Sequence, residues 1–474
     1  NIFGEHSDVM ACRQTGFCML ASNNVQEAMD MALVAHVSAL KASLPFLHFF
    51  DGFRTSHEIS KIEEIPYEIM EQMLPKEEIA KFKANAHNPE HPKLTGSAQN
   101  PDTFMQNREA CNVYYNKVYD IVKETMDELA QKTGREYKPF MYYGAKDATD
   151  VIVTMASSCD VVQETIDYLN ANGGKYGLVK VHLYRPFNTK AFGEALPKTV
   201  KRISILDKTK EQGSIGEPLY LDVVAALNDC GLEKIETFGG RYGLGGKDFI
   251  PAHVVSVFEN MQASNPIKHF TVGITDDVSK ISLPAPKNFK GLENKYFECQ
   301  FWGLGSDGTI SANKSSIKII GETTNKYIQG YFEYDSKKSG GLTISHLRTS
   351  DTPILSSYFV YDANFIAVHN YTFVKKYDVL AGLKKNGTVL LNTSLSEEEL
   401  AKDLPENFKK HLKDTGSKLY IIPAMKVAQA AGLKNRINTI MQSCFFKITG
   451  IIDYKIAEKE MKDFAIKSYS KKGE

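Results

Sequence analysis

Short apolar blocks alternate with longer amphipathic blocks through the middle of the chain. Each short apolar block is typical of a buried strand, and each block with apolar residues three or four positions apart is typical of a helix. The predicted elements follow in the order strand 151–156, helix 160–172, strand 178–183, helix 189–196, strand 202–206, helix 217–227, strand 234–237 and helix 252–261. This alternation predicts an α/β fold with a mostly parallel sheet.

The first part of the chain has a less regular pattern. A possible capping box predicts a helix over residues 25–41, an apolar run predicts a buried strand at 44–50, and a further helix is predicted at 115–133. Residues 85–112 are polar, with few apolar positions. We expect this stretch to cross a surface or to lie on a second subunit, because it holds too little apolar surface to fold alone.

The last part of the chain opens on a strand at 299–304, a glycine-rich turn at 305–309 and a helix at 310–321, with a second strand at 327–334. A parallel β–α–β connection would bring the ends of both strands to one sheet edge, where ligands of open α/β sheets bind. The elements predicted after these are strands 356–369, 388–391 and 417–422 and helices 379–385, 424–431 and 437–449.

The turn consists of Gly305, Ser306, Asp307, Gly308 and Thr309. Unpaired backbone N–H groups and the positive end of the helix dipole would face an anion held in such a turn. Together with the preceding glycine, the turn has the G-x-G-x-x-G spacing of dinucleotide sites. The local pattern supports equally well a purely structural turn that lets strand and helix pack closely.

Basic and amide side chains lie near the same predicted sheet edge. Asp335 follows the second strand and is soon followed by Lys337 and Lys338, which favours a phosphate over a bare ribose diol. Asn438 begins the last predicted helix, where its amide can cap the helix or donate to a ligand on the turn.

Two other loops have weaker signals. Arg54, Ser56 and His57 follow the strand at 44–50 and are either a functional loop or the capped start of a helix with a solvated arginine. The glycine-rich residues 239–247 suit either a phosphate or a packing loop.

Composition excludes several classes of protein. Lys and Arg together number 57, as do Asp and Glu, so the net charge is zero, which disfavours nucleic acid or a membrane surface as the main partner. The seven cysteines include no C-x-x-C pair, so neither a zinc site nor an iron–sulfur cluster is predicted in this segment, and reduced thiols of an intracellular protein are expected.

Catalytic signatures are not found in the sequence. It contains no nucleophile elbow, no H-E-x-x-H, no Walker A motif and no thiamine diphosphate metal motif, so no catalytic residue and no metal ligand is predicted in this segment. The histidines are scattered, and structural roles are expected for His48, His57, His253 and His346.

Three pairs of runs together resemble the pyruvate:ferredoxin oxidoreductase family, also called pyruvate synthase. They are RQTGF at 13–17 with FFDGFRTSHE at 49–58, LYRPF at 183–187 with GRYGLG at 240–245, and QFWGLGSDGT at 300–309 with YDSKKSGG at 334–341. The resemblance covers the whole chain in unbroken order. Both ends of the sequence look cut from a longer chain, so an interior portion of the multidomain enzyme is expected.

The resemblance implies three parts. Residues 1–136 would be the C-terminal part of a thiamine diphosphate pyrimidine-side domain, and residues 137–293 a transketolase C-terminal-like domain. Residues 294–474 would be a Rossmann-like coenzyme A-binding domain, incomplete at its end. Coenzyme A contacts are implied for Gly305, Ser306, Asp307, Gly308, Thr309, Lys337 and Asn438.

The function that the resemblance implies is coenzyme A-dependent oxidative decarboxylation of pyruvate to acetyl-coenzyme A and carbon dioxide. Electrons would pass to ferredoxin or flavodoxin. Thiamine diphosphate, Mg²⁺ and 4Fe-4S clusters are expected only from other parts of the full chain, so this segment alone is expected to hold none of them and to be inactive. A nicotinamide-nucleotide oxidoreductase and a non-catalytic scaffold remain alternatives.

The resemblance also implies a setting for the enzyme. A homodimer is expected, in the cytoplasm or in an anaerobic organelle such as a hydrogenosome, with no contact to nucleic acid or membrane.

Overall fold

A computed structural model describes residues 4–276, 278–286, 289, 292, 295–334, 341–433 and 436–469. The chain divides into two compact units. The first unit consists of Asn1–Ser56, Ile62–Phe289 and Leu355–Tyr358, and the second of His57–Lys61, Lys290–Ile354 and Phe359–Glu474. In the part of the chain that is described, no helix combines the length and the apolar character needed to cross a membrane.

The strands, numbered in chain order, are β1 Cys18–Ala21, β2 Phe46–Phe49, β3 Ile59–Ser60, β4 Phe140–Gly144, β5 Asp150–Thr154, β6 Tyr176–Val181, β7 Leu183–Arg185, β8 Arg202–Asp207, β9 Glu236–Arg241, β10 His269–Thr271, β11 Phe297–Leu304, β12 Tyr327–Tyr334, β13 Leu342–Ser350, β14 Ala363–Val368, β15 Leu383–Asn392 and β16 Lys418–Ile422.

The helices, numbered in the same way, are α1 Ser7–Ala11, α2 Val25–Ala42, α3 Tyr67–Met73, α4 Lys76–Ala84, α5 Pro101–Ala110, α6 Asn112–Thr133, α7 Ser158–Ala171, α8 Thr189–Ala195, α9 Pro218–Asp229, α10 Pro251–Gln262, α11 Thr309–Thr323, α12 Thr372–Lys376, α13 Glu397–Asp403, α14 Glu406–Thr415, α15 Ala424–Ala430, α16 Asn438–Thr449 and α17 Tyr454–Tyr469.

The first unit contains two sheets. Six strands in the order β10-β9-β8-β5-β6-β4 form a sheet that is parallel except for its edge strand β4. The central strand β5 is buried along its whole length, as expected for a parallel strand with helices on both faces. A smaller sheet has the order β2-β1-β7, with β1 parallel to β2 and antiparallel to β7.

The second unit contains one sheet of seven strands in the order β16-β15-β14-β11-β13-β12-β3. The four strands from β16 to β11 are parallel, whereas β13 runs antiparallel to both β11 and β12. Helix α11 packs closely on this sheet: a Cβ atom added at Gly330 would lie 2.1 Å from Cδ1 of Ile317. The predicted α/β fold with mostly parallel sheets is confirmed.

The predicted β–α–β unit is correct in direction but incomplete. Strands β11 and β12 are parallel, and their carboxyl ends reach the same sheet edge, because Leu304 and Tyr334 pair with the adjacent residues Leu342 and Thr343. The sequence analysis missed β13, which lies between them. This strand contains the buried polar residues Thr343, Ser345 and Arg348, whereas a central strand is usually apolar. Burial of Arg348 becomes possible because the neighbouring strand β11 provides Glu298, which forms an ion pair with it at 2.9 Å.

The predicted helix 379–385 is wrong, because Leu383 already begins β15. A Cβ atom at Gly382 would lie 2.3 Å from the carbonyl oxygen of Tyr361, so this segment passes close to a neighbouring backbone. A helix of seven residues at 379–385 would have little stability of its own. The apolar spacing that predicts it is outweighed by the hydrogen bonds that Leu383 and the following residues form as part of β15 with β14. The predicted strand 356–369 is also too long, since only β14 forms there.

Candidate functional site

The glycine-rich turn joins β11 to α11, and the side chain of Asp307 holds its shape. Oδ2 of Asp307 accepts a hydrogen bond from the N–H of Leu304 at 2.8 Å, and Oδ1 accepts one from the N–H of Thr309 at 2.7 Å. Gly308 has a φ of 88°, in the left-handed region that favours glycine. The turn therefore keeps its shape through internal hydrogen bonds, with a carboxylate at the helix N-terminus.

Two glycines allow close packing around the turn. A Cβ atom at Gly303 would lie 2.5 Å from Oγ1 of Thr309, and one at Gly308 would lie 2.5 Å from Nδ2 of Asn438. Both distances are far below van der Waals contact, so larger residues would force the strand, the turn and the start of α16 apart. The packing interpretation of these glycines thus has direct support at two positions.

Asn438 lies against the turn although it is 131 positions from Asp307 in sequence. Its amide nitrogen donates to the carbonyl oxygen of Asp307, and its Oδ1 lies 3.4 Å from Oγ1 of Thr309. The structure therefore brings Asn438 together with the five turn residues that sequence analysis selected. Lys337 lies outside the described residues.

The side chain of Thr309 is fully buried and contacts a histidine that sequence analysis did not select. Its Oγ1 lies 3.1 Å from Nδ1 of His369, the residue that follows β14. Burial lowers the pKa of the His369 imidazole to about 4, although nearby Asp307 opposes the shift, so the ring is neutral near pH 7. The sequence did contain one signal for His369: it directly follows an apolar run, at the carboxyl end of a strand.

Sheet topology places these residues at a crevice. The chain leaves β11 through α11 towards β12, and it later returns to place β14 on the other side of β11. Ligands of open α/β sheets bind where the strand order reverses in this way. The turn follows β11 and His369 follows β14, so the two lie at the carboxyl ends of the adjacent strands between which the order reverses.

The crevice offers donors rather than a catalytic group. The N–H groups of Ile310 and Ser311 precede the first intrahelical hydrogen bond, from Ala312 N–H to the carbonyl of Gly308 at 3.1 Å, and the side chain of Ser306 is exposed. Among the described residues, no group of three or more His, Cys, Asp or Glu side chains could hold a metal ion. The arrangement suits binding of a polar ligand.

A second polar cluster lies at the carboxyl edge of the six-stranded sheet in the first unit. Here the strand order reverses between β5 and β8, which are followed by Ser157 and Lys208. The carboxylate of Asp51 occupies this position. It accepts the N–H of Ser157 at 3.0 Å, lies 3.4 Å from Nζ of Lys208 and is hydrogen-bonded to Nε2 of His6 at 2.6 Å.

Asp51 is buried and charged. Burial by itself would raise the pKa of its carboxyl group, but Lys208, His6 and the Ser157 hydrogen bond outweigh that effect and hold the pKa well below its usual range. The chain's own carboxylate therefore fills the place where a ligand binds in many sheets of this type. We interpret the cluster as a structural ion-pair network.

Arg54 and the glycine-rich residues 239–247 both lie in the first unit. Arg54 is buried and forms an ion pair with Asp248, so the interpretation of it as a solvated arginine is wrong. The start of the glycine-rich residues 239–247 belongs to β9, and the hydroxyl of Tyr242 donates to Oγ of Ser158 at 2.8 Å.

Replacing Asp51 with asparagine should lower the free energy of unfolding by about 3–5 kcal/mol, because the buried ammonium group of Lys208 loses its partner. Since the folded-state pKa lies below the unfolded value of about 3.9, this stabilisation is complete above that pH and is lost as the pH falls through the folded-state pKa. Denaturant unfolding at several pH values measures both effects. Asp147→Asn, at an exposed carboxylate paired with Lys175, is the control and should change little. Equal stability of Asp51→Asn and wild type would contradict the network.

Three family models match successive parts of the chain. Residues 1–127 match "Pyruvate flavodoxin/ferredoxin oxidoreductase, thiamine diP-bdg", and residues 148–254 match "Pyruvate:ferredoxin oxidoreductase core domain II". Residues 298–472 match "Pyruvate ferredoxin/flavodoxin oxidoreductase". The matches include both polar clusters described above.

Curated proteins are similar to the chain over its whole length. The chain is 52% identical to a pyruvate:ferredoxin oxidoreductase of Moorella thermoacetica and 50% identical to a pyruvate-flavodoxin oxidoreductase of Klebsiella pneumoniae, covering 100% of this chain and 40% of each relative. It is 46% identical to a mitochondrial pyruvate dehydrogenase (NADP+) of Euglena gracilis, covering 100% of this chain and 26% of the relative. The chain thus spans well under half the length of these relatives.

Proposed function

Because the chain belongs to the pyruvate:ferredoxin and pyruvate:flavodoxin oxidoreductase family, we propose that it is a segment of an enzyme that oxidatively decarboxylates pyruvate to acetyl-coenzyme A and carbon dioxide. Ferredoxin or flavodoxin accepts the electrons. The observation that carries this proposal is identity of 46–52% over all of the chain to the three relatives described above. Pyruvate-dependent ferredoxin reduction by the longer enzyme tests it, and reduction that does not require coenzyme A contradicts it.

Three domains within this segment are part of the proposal. The thiamine domain would end near residue 136, the transketolase C-terminal-like domain would cover 137–293, and the coenzyme A-binding domain would begin at 294. The family matches at 1–127, 148–254 and 298–472 support this division. Residues 1–127 match a thiamine diphosphate-binding family model, which supports thiamine diphosphate as a cofactor of the longer enzyme.

We assign the coenzyme A site to the crevice between the carboxyl ends of β11 and β14. The backbone of the glycine-rich turn, the exposed Ser306 and the start of α11 supply hydrogen-bond donors there. Asp307 already contributes a negative charge at the helix N-terminus. A phosphate of coenzyme A therefore needs a cation beside the turn, and Lys337 is the candidate that the family resemblance implies.

Changing Gly308 to alanine should weaken coenzyme A binding by about tenfold or more. A Cβ atom there meets Nδ2 of Asn438 at 2.5 Å, so the turn or Asn438 must move. Calorimetric titration of coenzyme A into the longer enzyme measures the loss, with NADP+ as a second ligand that tests the nicotinamide alternative. Gly450→Ala is the matched control, because Gly450 has a φ of 59°, lies at the other end of α16 and has nothing within 4 Å of an added Cβ. If Gly308→Ala binds coenzyme A as tightly as Gly450→Ala and wild type do, the turn has only a packing role.

Changing Lys337 to alanine should weaken coenzyme A binding about ten- to a hundredfold, the loss of a charged hydrogen bond of about 1.5–3 kcal/mol. The remaining binding should depend less on salt, because one charge pair between protein and ligand is gone. Titrations at low and high salt measure both effects. Lys318→Ala removes an exposed lysine paired with Glu322 on α11 and is the control. An unchanged salt dependence would contradict a phosphate contact at Lys337.

We also propose that the enzyme is a homodimer and that residues 85–112 contact the neighbouring subunit. Every residue from 85 to 110 is exposed, including the apolar Leu94, Phe104 and Met105, at 89%, 55% and 69%. Light scattering of the longer enzyme should give a dimer, and Phe104→Asp with Met105→Asp should weaken it, because charges would enter an apolar contact. Lys83→Asp on the adjacent α4 is a control for added charge. A wild-type monomer at micromolar concentration would contradict the proposal.

A further inference from the structure

We propose that His369 is a positioning residue of the coenzyme A site, holding Thr309 and Asn438 so that the glycine-rich turn keeps the shape that receives the ligand. This inference rests on the proposed function. It assigns a role to a side chain that follows β14 and lies on the opposite side of the crevice from the turn.

The contacts form one continuous path. Nδ1 of His369 lies 3.1 Å from Oγ1 of Thr309, and the same oxygen lies 3.4 Å from Oδ1 of Asn438. The amide nitrogen of Asn438 donates to the carbonyl oxygen of Asp307 within the turn. The path therefore runs from His369, which follows β14, through Thr309 of α11 and Asn438 of α16 to the backbone carbonyl of Asp307.

Donor and acceptor chemistry gives this path a direction. Donation to the carbonyl of Asp307 requires the amide nitrogen of Asn438, which turns its Oδ1 towards Thr309. Oδ1 can only accept, so the Thr309 hydroxyl donates to it. Nδ1 of His369 then carries the proton and donates to Oγ1 of Thr309. In this assignment the neutral ring is the Nδ1–H tautomer.

His369 itself is fixed from two sides. Its backbone N–H donates to the carbonyl of Trp302 in β11 at 2.9 Å, and its carbonyl accepts from Nδ2 of Asn392 at 3.0 Å. Oδ1 of Asn392 accepts the N–H of Ala424, the first residue of α15, at 3.1 Å. The backbone of His369 is therefore fixed between neighbouring elements, and it sets the position from which the imidazole reaches Thr309.

A purely structural role would not call for this polar path. The ring and the Thr309 hydroxyl are both buried, and burying polar groups is costly unless they are hydrogen-bonded. An apolar pair would fill the same space without that cost, but it would leave Oδ1 of Asn438 without a donor, so the amide would be held only by its hydrogen bond to Asp307. The path fixes which face of Asn438 meets the turn, and the candidate binding geometry depends on that choice.

The test compares three variants of the longer enzyme. His369→Leu removes the donor, His369→Asn keeps a polar group near the position of Nδ1, and Thr309→Val removes the hydroxyl. His369→Leu should weaken coenzyme A binding about three- to tenfold, the loss of one hydrogen bond. The KM for coenzyme A should rise by a similar factor, with kcat and the KM for pyruvate unchanged. His253→Leu, at a histidine of the first unit, is the control.

Two further results separate positioning from general destabilisation. His369→Asn should restore coenzyme A affinity to within about threefold of wild type. Thr309→Val should cause little further loss in the His369→Leu background, because both changes break one path. The inference is overturned if folded His369→Leu binds coenzyme A as wild type does, if the KM for pyruvate rises in parallel, or if the two losses add.

Failure of this inference differs from failure of the proposed function. If the wild-type enzyme does not bind coenzyme A, or if Gly308→Ala has no effect, the proposed site is wrong. If wild type binds and Gly308→Ala weakens binding while His369→Leu does not, only the role of His369 is wrong.

Discussion

The hydrogen bond from the amide of Asn438 to the carbonyl of Asp307 is the contact on which the candidate site depends. It joins the start of α16 to the turn between β11 and α11 across 131 positions of sequence. Gly308 permits it, because any Cβ there would meet the amide nitrogen. Thr309 and His369 orient the same amide from its other side. The shape of the turn is therefore a tertiary property as much as a property of its glycines.

The two units use the same sheet edge in different ways. In each, the strand order reverses beside a central parallel strand, and polar residues gather at the carboxyl ends. In the first unit, Asp51 enters this position, where it is paired with Lys208 and hydrogen-bonded to His6. In the second, Asp307 uses both carboxylate oxygens within its own turn, so the start of α11 stays available on its remaining side. One topology thus supports a closed ion-pair network and a candidate binding site.

The proposed function gives this segment a binding role within a longer enzyme. The chain spans 40% of two of its relatives, and the candidate site in its described residues offers backbone hydrogen-bond donors. In an enzyme whose cofactors carry the difficult chemistry, the protein supplies binding, orientation and electrostatics. The proposed coenzyme A site, with its backbone donors and a turn held by Asp307, would suit that role.

The sequence by itself determined the alternation of strands and helices, the strand–turn–helix unit around Gly305 and Gly308, and the runs that identify the family. These signals are local, because the spacing of apolar residues, the glycine content of a turn and a short motif can each be read from a few neighbouring residues. Tertiary structure alone decided that β13 is a central strand despite its buried Thr343 and Arg348, and that residues 383–385 begin β15 rather than end a helix. It also decided that Asp51 is paired with Lys208 and that His369 reaches Thr309. Each of these depends on a partner distant in sequence, and a polar residue shows its role only when the fold supplies that partner.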